Sequence, residues 1–124
     1  MLTPFGKEMR KARIELEMRL SQLSLRSHIH PKTINLIEIN KAKLHKNYPR
    51  ILIEALDAPP ELEQLLHIKA AQTYGVLEIS VPDNDLAQQA AGLLATRFRY
   101  WDEARYKTLL NQLTKIDDEE ELFE

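Results

Sequence analysis

Residues 20–41, LSQLSLRSHIHPKTINLIEINK, constrain the fold more tightly than any other stretch of the chain. Two short apolar patterns at helical spacing meet there, with room between them only for a tight corner. The first runs Leu20, Leu23, Ser24 and Ser27, and the corner is Ser27-His28-Ile29. The second begins near His30-Pro31, where proline suits the first helical turn because its missing N–H has no partner to lose. Ile34 and Ile37 form the expected inward stripe of this helix, while Lys32, Thr33, Asn35 and Leu36 point outward. A helix that buries one thin stripe and shows short polar side chains elsewhere is suited to a DNA major groove.

The flanking segments also read as helices. Thr3-Pro4 supplies an N-cap and a first-turn proline, followed by Phe5, Met9, Ala12 and Leu16 at core spacing. Asn47 is a candidate cap for a fourth helix that buries Ile51, Leu52, Ala55 and Leu56. Asp57-Ala58-Pro59-Pro60 breaks the chain, because paired prolines cannot continue a helix. A fifth helix, residues 61–73, carries Leu62, Leu65, Leu66, Lys69 and Ala70 and stops at Gly75.

From Thr3 to about Leu56 the sequence resembles the Cro/C1-type (XRE) helix-turn-helix family of phage repressors and bacterial regulators. The residues that carry the resemblance are TPFGKEMRKARIE, Leu23-Ser24, Ile29, Pro31, Ile34, Ile37-Glu38 and Lys41. It implies a five-helix repressor-like domain over residues 1–75, with an ion pair between Arg13 and Glu38. It also implies double-stranded DNA as the partner. Arg19, Lys41, Lys43 and Lys46 are then the phosphate-contact candidates, and His30, Lys32, Thr33, Asn35 and Leu36 the base-facing ones. Asn40 joins them at the exit of the second helix. Three positions that are usually glycine in the family are Glu17, His28 and Asn40 here, and its usual Thr-Gln pair is replaced by Arg19-Leu20.

Beyond Gly75 the pattern changes. Val76-Leu77-Glu78-Ile79-Ser80-Val81 partly alternates and predicts one short strand, which would need a partner strand from a second copy. Residues 85–98 and 101–116 predict two further helices forming a hairpin. Leu86, Ala90, Leu93, Leu94 and Arg97 mark one; Trp101, Ala104, Leu109 or Tyr106, Leu110 and Leu113 mark the other. The expected fold class is therefore all-α: a five-helix helix-turn-helix domain, one short strand and a helical hairpin. Residues 76–116 would serve dimerisation or another partner, and 117–124 would form a disordered acidic tail.

The net charge of −2 conceals a polarity. Residues 1–56 hold eleven Lys and Arg against five Asp and Glu, whereas residues 57–124 hold six against fourteen. A basic N-terminal half is the electrostatic footprint of a phosphate-binding module. Cysteine is absent, so disulfides and thiolate metal sites are excluded. Met1-Leu2-Thr3 leads directly into a charged helix, and no apolar run approaches membrane-spanning length, so a cytoplasmic protein is expected.

These features predict a dimeric, sequence-specific transcriptional regulator, a repressor reading an inverted repeat. Two alternatives remain open on sequence alone. One is an antitoxin that autoregulates its operon while its acidic half masks a toxin. The other is a helix-turn-helix scaffold turned to protein binding, which Leu20, Leu36 and Ile39 would favour. No nucleophile elbow, ordered triad or phosphate-binding glycine loop occurs, so neither an enzyme nor a cofactor is expected. His28, His30 and His45 do not have the convergence of metal ligands.

Overall fold

The computed structural model describes residues 3–39 and 47–123, with side chains as far as residue 116. Thr3 opens α1 (Pro4–Glu15) by accepting the Gly6 N–H on its Oγ1 at 2.9 Å. Phe5, Met9 and Ala12 of α1 are buried, and Leu16 packs against the same core from its edge. The chain then turns through Glu17, whose φ of 54° is left-handed, into α2 (Leu20–Ser27). A second left-handed residue, His28 at φ 59°, ends α2 and directs the chain into α3 (Pro31–Glu38).

Two more helices close this unit. In α4 (Tyr48–Leu56) Asn47 occupies the cap position without a side-chain cap bond, and Leu52, Ile53 and Leu56 are buried. Asp57, left-handed at φ 50°, ends that helix, and α5 (Pro60–Tyr74) buries Leu66 and Ala70. Gly75 caps α5 at φ 70°, donating its N–H to the Ala71 carbonyl at 2.9 Å. α5 lies against α1: the Phe5 N–H donates to Thr73 Oγ1 at 3.0 Å, and the Phe5 and Tyr74 rings meet edge-on at 5.8 Å. One core, containing Phe5, Met9, Leu23, Ile34, Leu52 and Leu66, thus unites all five helices.

The expected strand does not form. Residues 76–81 belong to no ladder, and no strand occurs among the described residues. The physical reason is that a lone extended segment has no neighbour to take its backbone groups. A side-chain tie holds it instead, with Arg50 Nε donating to Glu78 Oε2 at 2.9 Å. Residues 76–79 group with the first unit, and the chain divides into Met1–Ile79 and Ser80–Glu124.

The second unit contains α6 (Asp85–Arg97), a single 3₁₀ turn (Phe98–Tyr100) and α7 (Glu103–Phe123). Asn84 caps α6 by accepting the Ala87 N–H, and Asp102 accepts the Arg105 N–H at the start of α7, each at 3.0 Å. The joint between them is aromatic. The Phe98, Trp101 and Tyr106 rings stand 5.0–5.9 Å apart, and the Tyr106 hydroxyl donates to the Phe98 carbonyl. The expected hairpin is likewise corrected. α6 and α7 do not pack along their lengths, and no residue from 80 to 116 is buried. The acidic tail, residues 117–124, expected to be disordered, lies outside the residues whose side chains are described.

Candidate nucleic-acid interface

The candidate surface is built from the corner between α2 and α3. Ser24 Oγ donates to the Ile29 carbonyl at 2.6 Å, and the Ile29 N–H donates to Ser27 Oγ at 3.2 Å. Two hydroxyls thereby satisfy backbone groups that a turn of three residues would otherwise leave open. His28 can hold its left-handed conformation because polar residues tolerate it better than branched ones. Its N–H completes the end of α2 on the Ser24 carbonyl at 2.9 Å.

α3 is oriented from both ends. At its start His30 is the N-cap: Nδ1 accepts the Lys32 N–H at 3.1 Å. At its end Glu38, 1% exposed, receives Arg13 Nε at 3.0 Å and Nη2 at 3.1 Å. Arg13 Nη1 also donates to the Met18 carbonyl at 3.2 Å, so one guanidinium ties α1, α3 and the entry to α2 together. Gly6 lets α1 approach this end: a Cβ there would lie 2.7 Å from the Ile37 carbonyl oxygen and 2.6 Å from that of Glu38.

With Ile34 and Ile37 turned into the core, Lys32 and Asn35 are exposed one helical turn apart, flanked by half-buried Thr33 and Leu36. Arg19 is exposed at the N-cap of α2, and its backbone N–H donates to Gln22 Oε1 at 2.7 Å. Leu20 packs against the core edge instead of projecting outward, which withdraws it from the apolar surface expected around α3. Asn40, Lys41, Lys43, His45 and Lys46 lie outside the described residues.

The electrostatics of the corner are one-sided. Between residues 18 and 39 the sole carboxylate is Glu38, which is buried and paired with Arg13. Arg19, Arg26 and Lys32 are exposed, as are His28 and His30. α2 and α3 themselves therefore carry exposed positive charge at Arg26 and Lys32 and no exposed acidic side chain of their own.

Sequence reasoning missed three supports of this surface: Gly6, the Gln22 cap and the hydroxyl stitch at the corner. Gln22 had a readable signal, since a Gln three residues beyond an N-cap is half of a capping box. The contact that makes Gly6 necessary is with residues more than thirty positions away and leaves no local mark. No family model matches the chain, and neither a curated protein nor a solved structure is similar to it. Among the described residues no helix is long and apolar enough to cross a membrane.

Proposed function

We propose that this chain is a sequence-specific DNA-binding transcriptional regulator, a repressor of the Cro/C1 (XRE) helix-turn-helix type acting in the cytoplasm. α3 enters the major groove, and two copies read an inverted repeat with half-sites about 34 Å apart. The observation that carries this reading is the corner surface from 18 to 39, exposed and cationic, its one carboxylate buried against Arg13. Lys32 donates to guanine O6 or N7, and Asn35 pairs with adenine N6 and N7. Thr33 and Leu36 offer methyl groups to thymine. His30 faces base edges beside them, while Arg19 holds phosphate, joined by Asn40, Lys41, Lys43 and Lys46.

The test begins with selection of bound sites from a random duplex pool, which should return a palindrome. On the selected site Lys32→Ala and Asn35→Ala should each weaken binding by about 1–3 kcal/mol and relax specificity at one base pair. Arg19→Ala should weaken all sequences alike and reduce the salt slope by about 0.9. Binding that is absent, or indifferent to salt, overturns the proposal.

A further inference from the structure

We propose that the joint between α6 and α7 is a stacking platform for single-stranded nucleic acid, with Tyr100 as its open ring and the cations around it holding phosphates. This is a second activity, carried by residues other than those assigned to duplex DNA. The joint has a fixed centre. Phe98, Trp101 and Tyr106 pack ring against ring, each centroid within 5.9 Å of the other two. The Tyr106 hydroxyl ties the start of α7 to the Phe98 carbonyl. Tyr100 stands outside that knot, 73% exposed, with the Arg99 guanidinium over its ring at 4.8 Å from Cζ to the centroid. Phe98 itself is 46% exposed, so two neighbouring rings leave open area at one place.

The charge around these rings is unbalanced. From 86 to 116 the carboxylates are Asp102 and Glu103 alone, against five Lys and Arg. Asp102 is occupied in capping α7, where it accepts the Arg105 N–H. Arg97, Arg99, Arg105 and Lys107 are exposed, and among the described residues none of them is paired with a carboxylate. Cations and rings alternate through Arg97-Phe98-Arg99-Tyr100 and again through Arg105-Tyr106-Lys107. Charge alone would accept any anion, and rings alone any apolar surface. Interleaved, they match a ligand in which phosphates and flat π faces alternate along one chain, which is a strand with unpaired bases. Bases inside a duplex stack on one another and offer the ring no face. An acidic peptide would meet the cations and leave the rings in water.

Trp101 is the sole tryptophan of the chain and belongs to the knot, so its fluorescence reports on this joint. Titration of the full chain at low salt with oligothymidylate or oligouridylate of about 12 nucleotides should quench it. Whichever strand quenches at the lower concentration identifies the preferred sugar. Tyr100→Ala, outside the knot, should weaken this binding about five- to a hundredfold, the loss of one stacked base. Arg99→Gln should reduce the salt slope by about 0.7, the loss of one phosphate contact to a single strand. Lys32→Ala should leave both the affinity and the slope unchanged. An unquenched Trp101, or a Tyr100→Ala chain that binds like the parent, overturns the proposal. Equal quenching by a duplex of the same length, or by an oligoglutamate peptide, overturns it as well. These readouts follow the second unit, so their failure leaves the duplex reading of α3 standing, and failure of the site selection leaves the quenching standing.

Discussion

Arg13 and Glu38 meet fork to fork, Nε to Oε2 at 3.0 Å and Nη2 to Oε1 at 3.1 Å, with the carboxylate almost wholly removed from solvent. Their geometry fixes where α3 stands relative to α1. Removing the guanidinium would leave a charge buried without its counter-ion, which costs far more than the intact pair contributes. Arg13→Ala should therefore destabilise the first unit by about 3–5 kcal/mol, read as a lower urea midpoint at unchanged slope. Replacing both partners, Arg13→Met with Glu38→Leu, should recover most of that loss. A single variant as stable as the parent would show that the pair does not hold α3.

Gly6 gives the second prediction. Alanine is the better helix former by roughly 1 kcal/mol, so propensity alone favours Gly6→Ala. Sterics oppose it, because the new Cβ would meet the carbonyl oxygens of Ile37 and Glu38 at 2.7 and 2.6 Å. Those atoms are backbone at the end of α3 and cannot rotate aside. The clash should win, with a net loss of about 1–3 kcal/mol, measurable as a lower Tm. Because the displaced element is α3, the DNA binding proposed for that helix should weaken with it.

Much of the first unit was legible because local chemistry and tertiary packing agree there. Thr3-Pro4 marks the start of α1, and Phe5, Met9 and Ala12 fall on its buried face. Glu17 and His28, read as turn positions, adopt left-handed backbone. The pattern of α4 was read one residue too narrowly: Ile53 is buried beside Leu52, since the helix is covered on more than one side. Residues 76–81 misled because alternation signals a strand only when a second strand exists to receive it. The outward placement of Lys32 and Asn35 follows from the inward placement of Ile34 and Ile37, which the sequence marks clearly.

Glu17 is the least suitable of the left-handed residues, because its side chain has no short polar group to stabilise that backbone. It is exposed, and its N–H still donates to the Ile14 carbonyl at 3.0 Å. Glu17→Gly removes the Cβ conflict and keeps that bond. Glycine loses more chain entropy on folding, so the net gain should be modest, about 0.5–1 kcal/mol, appearing as a higher Tm. A lower Tm would mean that the Glu17 side chain makes a contribution larger than the backbone strain.

Tyr74 links stability to alkaline pH. Burial against α1 holds its phenol pKa above the ordinary value of 10.0, because the phenolate would lose solvation there. In the unfolded chain the same phenol ionises near its ordinary value. Below pH 10 both states keep the proton, and this residue adds no pH dependence. As pH rises past 10 the unfolded state releases its proton first and is favoured, so stability falls until the folded phenol also ionises. Tyr74→Phe retains the ring that meets Phe5 at 5.8 Å and removes the titration. Urea midpoints of parent and variant should run parallel from neutral pH to about 9 and separate above about 10, the parent falling more steeply. Curves that stay parallel into that range would show that Tyr74 is solvated well enough to ionise in the folded chain.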